Sequence, residues 1–146
     1  MTIAFSTTLR TARAQAIITA AGANAKMKFY DGTRPASGAG IGGSTLLATL
    51  IAGATLGSAA SGVLDFDEAS FTQTAASHVS GTPTWVRITT SADVFVADLS
   101  IPGDLTFSGT ISTGVNVTLN ASRSPKATLK SWLLRPLTPM LAPPAG

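Results

Sequence analysis

Val115-Asn116-Val117-Thr118-Leu119-Asn120 sets apolar side chains at odd positions and polar ones at even positions. This is the pattern of an extended strand with one face on a core and the other in water. Trp85-Val86-Arg87-Ile88-Thr89 and Asp93-Val94-Phe95-Val96-Ala97-Asp98-Leu99 keep the same beat. Gly, Pro, Asn and Asp fall between the runs, where they punctuate strands with turns. Strands in such a series form an antiparallel sheet that must bury its apolar face against a second layer. The stretch 84–121 therefore predicts a mainly β fold with strands at 84–90, 93–99, 105–107 and 110–121. Its predicted core is Trp85, Phe95, Leu99, Phe107, Ile111, Val115, Val117 and Leu119.

Upstream, 6–21 reads as the one helix, with Ser6 or Thr7 as N-cap and Gly22 supplying the left-handed residue after its last turn. Its apolar stripe is Leu9, Ala12 or Arg13, Ala16, Ile17 and Ala20, which suits packing on a sheet or a neighbouring subunit. A secretory signal ending at Ala23-Asn24-Ala25 is the rival, but Gln15 interrupts a centre whose only strong hydrophobes are Ile17 and Ile18. Lys26-Met27-Lys28-Phe29-Tyr30 predicts a strand with Met27 and Phe29 inward, ending at the turn pair Asp31-Gly32. Thr45 to Ile51 predicts a buried strand. The 35–64 region lacks charge and contains Gly53-Ala54-Thr55-Leu56-Gly57, a helix-pairing pattern in membranes, yet it holds no solidly apolar run of about 18 residues. No membrane span is expected.

Composition narrows the function classes. The 146 residues suit one domain, and with no cysteine and a single histidine neither disulfides nor a Cys/His metal centre can form. Only 12% of residues are charged, and the mean hydropathy is +0.33, so apolar surface left exposed would seek a partner. Residues 1–121 carry six basic and seven acidic side chains, and 122–146 carry four basic and none acidic, so the net +3 is −1 for the body and +4 for the tail. A body without clustered cations is a poor nucleic-acid surface.

The motifs that resemble chemistry lack its context. Gly38-Ala39-Gly40-Ile41-Gly42-Gly43 satisfies G-x-G-x-x-G, with Asp65 downstream, but Arg34-Pro35-Ala36-Ser37 stands where a buried strand should lead in. It reads as a plain loop. Asp65, Asp67 and Glu68 follow no known calcium-loop spacing and read as a solvated edge or a patch for a partner's basic groups. His78, in a polar loop at 69–83 with serines nearby, has no nucleophile-elbow motif beside it and reads as an exposed loop histidine. No catalytic residue, cofactor or metal ligand is expected. The Pro-rich tail at 122–146 holds Arg123, Lys126, Lys130, Trp132 and Arg135 as candidate partner-binding residues, in an arm that lies on another protein or in a frayed terminus.

Five blocks in order carry a family resemblance: Lys-Phe-Tyr-Asp-Gly-Thr-Arg-Pro-Ala-Ser-Gly from Lys28, Leu-Leu-Ala-Thr-Leu from Leu46, Gly-Val-Leu-Asp-Phe from Gly62, Gly-Thr-Pro-Thr-Trp-Val-Arg-Ile from Gly81 and Val-Ala-Asp-Leu-Ser from Val96. The chain resembles the small proteins encoded among the head genes of tailed bacteriophages, and looks most like the capsid cement (decoration) proteins of short-tailed phages. The resemblance implies a jelly-roll-like antiparallel β-sandwich with one N-terminal helix over 1–121, followed by a basic Pro-rich arm at 122–146. It also implies a homodimer on the exterior of the virion that bridges major capsid proteins and stabilises the head. Neither nucleic acid nor membrane is an expected partner. A tail-associated or receptor-binding β-domain that recognises host surface glycan is the alternative.

Overall fold

A computed structural model describes residues 4–119 apart from Ser37 and Ser108. The fold is mainly β with one helix: α1 (Thr7–Ala21) precedes β1 (Lys26–Tyr30), β2 (Leu46–Ile51), β3 (Gly57–Ala60), β4 (Val63–Phe66), β5 (Thr72–Gln73), β6 (Trp85–Thr89) and β7 (Phe95–Ser100). Five strands form an antiparallel sheet in the order β5-β2-β1-β6-β7, and β3 and β4 form a separate hairpin.

Local sequence explains the helix ends. Ser6 Oγ accepts the Leu9 N–H at 3.2 Å, and Gly22, at φ 69°, donates its N–H to Ile18 O. The buried face differs from the predicted stripe. Ala14, Ile18 and Ala21 are buried and Ile17 is half-buried, whereas Leu9, Ala12, Arg13, Ala16 and Ala20 face solvent. The apolar pattern of an Ala- and Thr-rich helix is weak, so shape selects the face. Small side chains let α1 settle on the β3–β4 hairpin, where Thr11 Oγ1 accepts the Gly62 N–H at 2.7 Å.

β1 lies at the centre of the sheet, with Met27 opposite Leu50 and Ile88, and Phe29 opposite Ala48 and Val86. These side chains make the inner face and are buried. The second layer over them consists of α1, the β3–β4 hairpin, and the irregular segment that carries Leu105, Ile111, Val117 and Leu119. β3 arises where no apolar alternation predicts it, because Gly57 lets the backbone of β4 come close.

The predicted strands at 105–107 and 110–121 are absent from the described part of those ranges, apart from one bridge between Ile111 and Gly81. Residues 113–115 instead form a turn, and beyond it side chains replace a partner strand. Gln73 Nε2 donates to Val117 O at 2.9 Å, and Gln73 Oε1 accepts the Val117 N–H at 2.7 Å. Ser80 Oγ likewise accepts the Thr113 N–H at 3.2 Å. Of the predicted core, Trp85, Ile111, Val117 and Leu119 are buried, while Phe95 is 42% and Val115 59% exposed. Leu99 and Phe107 pack at the core's edge. Phe95 sits on the outer face because β6–β7 pairing shifts register between Ile88 and Thr89.

Candidate interaction surface

The outer face of the sheet is built from the side chains that alternate with the core. Tyr30 and Trp85 are cross-strand partners and stack at 4.5 Å between ring centroids. Arg87, two residues along β6, lies over the rings of Trp85 and Phe95 at 5.4 and 5.2 Å. Asp98 is opposite it on β7 and accepts from Arg87 Nε at 2.7 Å and Nη2 at 2.8 Å. Hydrogen bonding to Asp98 holds the Arg87 pKa above its ordinary value against the opposing effect of burial.

The Gly-rich loop at 31–45 covers this cluster. Trp85 Nε1 donates to Asp31 O at 3.0 Å, Arg87 Nη2 donates to Ala39 O at 2.8 Å, and Gly38, at φ 76°, leaves room for the Phe95 ring. The G-x-G-x-x-G motif is thus a lid pinned on an aromatic and cationic stack. Tyr30 and Trp85 are buried, so neither ring offers a free face to a sugar. Sequence reasoning missed the cluster, although Arg87 and Asp98 sit at matching places on adjacent predicted strands.

At the far end of the same face Asp93, at φ 65° in the β6–β7 turn, accepts from Lys26 Nζ at 2.8 Å and pairs with Lys28 Nζ at 2.7 Å. Hydrogen bonds from Lys26 and then Lys28 lower its pKa to about 2. A carboxylate with a depressed folded pKa adds stability above its unfolded pKa and loses it as pH falls through the folded value, here between about pH 4 and about pH 2. Asp93→Asn keeps a residue tolerant of positive φ. It is expected to flatten the stability profile in that window and to change little at pH 7, because exposed pairs contribute little; urea melts at pH 7, 4 and 2.5 read the difference.

A groove of about 360 Å³ runs along the β2–β5 side of the sheet, with Leu46, Ala48, Thr49 and Ile51 on one wall and Gln73 and His78 on the other. His78 is 3% exposed, which corrects the exposed-loop reading. Its Nδ1 donates to Val115 O at 2.9 Å, while Nε2 has no hydrogen-bond partner among the described residues. The ring is a tie between 72–81 and 111–117, the work a ladder would otherwise do. His78→Ala is expected to cost about 1–3 kcal/mol in urea denaturation, because Val115 O loses its donor. His78→Asn, which can still donate, is expected to cost less.

Other candidates are not assembled into a chemical site. Among the described residues no three His, Cys, Asp or Glu side chains group as metal ligands, and Asp67 opens a 3-10 turn whose Ser70 Oγ donates back to Asp67 O at 2.9 Å. Arg123, Lys126, Lys130, Trp132 and Arg135, with the 121/122 boundary and the whole arm, lie outside the described residues. Among those described, no helix is long and apolar enough to cross a membrane. Exposed large apolar side chains are Phe5 and Leu9 at the start of α1, Val94 and Phe95 at the β6–β7 turn, Ile41 in the lid, and Leu46, Ile51, Val79 and Val115. No family model, curated protein or solved structure matches the chain.

Proposed function

We propose that this chain is a structural virion protein, a jelly-roll-like cement that binds the outside of the major capsid protein lattice as a dimer and stabilises the phage head. The observation that carries the reading is the apolar surface held in solvent by a well-braced body, above all Phe5 just before α1, Leu9 on it, Val94 in the β6–β7 turn and Phe95 at the start of β7. Such side chains gain by being covered with protein, and their coverage requires no chemistry. The five blocks of the resemblance support it as well, since they fall on β1, β2, β4, β6 and β7 or on the loops that enter and leave them. Many copies on one lattice turn a modest contact per copy into a firm hold. The glycan-binding alternative has less support, because the rings of Tyr30 and Trp85 are buried against each other.

The test compares phage heads assembled with and without this chain. Heads with it are expected to melt at a higher temperature, with the chain present at a copy number comparable to the shell subunit. Equal melting temperatures, or a few copies confined to tails, would overturn the reading.

A further inference from the structure

We propose that the outward side of α1 is the face through which this chain holds the capsid, and that it seats on an apolar strip of the shell subunit bordered by carboxylates. The inference rests on the cement reading and names its contact.

α1 is apolar on two opposite sides. With about 100° of turn per residue, Leu9, Ala12, Ala16 and Ala20 fall within about 80° of one another, across the helix axis from Ala14, Ile18 and Ala21. The second set is buried in the core, and the first faces solvent, with Leu9 45% exposed. Phe5, 40% exposed, extends the outward stripe at its N-terminal end, where the Arg13 guanidinium lies 5.0 Å from its ring centroid. A helix at a solvent boundary ordinarily turns polar side chains away from the core. Here an apolar stripe points away from it, which suits a helix placed between two protein surfaces.

Charge selects the occupant. α1 carries Arg10 and Arg13 and no acidic side chain, and the positive end of the helix dipole adds to them at the first turn. Arg10 lies along the hairpin beside Gly62, with Nη2 donating to Thr7 Oγ1 at 3.2 Å, so Arg13 is the cation at the rim of the stripe. A second copy is a poor match. The stripe runs from Phe5 to Ala20, so two copies laid antiparallel would cross near Ala12 and Arg13 and bring like charges together with no carboxylate on either helix. A surface bordered by carboxylates meets Arg13 with the opposite sign.

The size of the stripe suits a lattice. The 15 residues of α1 make a helix about 22 Å long. One face of it is smaller than the ~800 Å² per partner of a stable free pair. Such a contact holds when many copies repeat it on one shell.

The test adds the full chain to phage heads assembled without it and measures the chain that pellets with them. Ala16→Gln, which puts bulk in the middle of the stripe, and Arg13→Glu are each expected to weaken binding by about ten-fold or more, on the scale of a hot-spot residue. Arg13→Lys is expected to bind like wild type, and the melting temperature of each free chain to stay unchanged. Leu9→Gln replaces Ala16→Gln should that variant unfold. Folded variants that bind like wild type would overturn the inference and leave the cement reading in place, whereas a wild-type chain that does not bind heads would overturn both. Tighter binding by Arg13→Glu would place a basic surface opposite α1, and a wild-type dimer split by Ala16→Gln in sedimentation would place a second copy there; either overturns the inference.

Discussion

Asp98→Ala is expected to lower the unfolding free energy by about 3–5 kcal/mol, the cost typical of removing one partner of a buried ion pair. The Asp98 side chain is 2% exposed and that of Arg87 12%, so water cannot replace the carboxylate that meets both Nε and Nη2. What remains around the guanidinium is the Ala39 carbonyl and two aromatic faces. The damage extends to the lid, because Arg87 carries a hydrogen bond that holds the 31–45 loop on the sheet. Thermolysin cleavage before Ile41, in that loop and 38% exposed, is therefore expected to accelerate in the variant under native conditions. Asp98→Asn, which keeps one acceptor at the same place, is expected to cost less than Asp98→Ala. Replacing both partners by apolar residues, Arg87→Met with Asp98→Leu, is expected to recover most of the loss, since the penalty arises from a stranded charge rather than from the absence of the pair. Urea melts of the four chains measure this. A cost below about 1 kcal/mol for Asp98→Ala would place the pair with exposed ones.

The same cluster shows which levels of the structure are legible in the sequence. Alternation in Lys26–Tyr30 separates core from outer face correctly, because β1 is central and each inward side chain has a partner on either side; Trp85, read as core, is instead buried on the outer face under the 31–45 loop, and Val86 and Ile88 point inward. Helix ends are legible for a similar reason: Ser6 and Gly22 act on the backbone next to them. The long-range choices are not. In 115–119 burial alternates as read at Val117 and Leu119, but periodicity carries no information on what satisfies the backbone. A side-chain amide from Gln73 and an imidazole from His78 do so. Phe95 reads as core because it is large and apolar, yet a register shift and a stacked Arg87 give it a place on the outer face. The 31–45 lid is invisible for a third reason: its fixing points are backbone carbonyls, which any residue supplies. The exposed apolar side chains are legible only as an excess of apolar residues over charged ones, without their location.

Gly57→Ala is expected to cost about 4 kcal/mol, on the scale of unseating two buried side chains at about 1.5–3 kcal/mol each. A β-carbon at this position would run into the Asp65 carbonyl oxygen and lie 2.9 Å from Phe66 Cα. Both are backbone atoms of the paired strand, so no rotamer change relieves the overlap and β3 must withdraw from β4. The pairing of Gly57 with Phe66 and Ser58 with Asp65 is then lost, and Leu64 and Phe66, 2% and 3% exposed, lose the register that keeps them in the core. α1 rests on this hairpin through Ala14, Ile18 and Ala21, and the Thr11 to Gly62 hydrogen bond crosses the same contact. Helix and hairpin are therefore expected to loosen together, while the five-stranded sheet keeps its own ladder. Hydrogen exchange separates the two layers: protection is expected to fall across 7–21 and 57–66 and to persist in Met27, Phe29, Val86 and Ile88. Gly53→Ala is the matched control, since its added methyl would meet Ser70 without overlap, the side-chain Cβ at 3.1 Å and the carbonyl oxygen at 3.7 Å. A uniform loss of protection would show that the layers unfold as one unit, and wild-type stability in Gly57→Ala would show that β3 does not pack on β4 as closely as described.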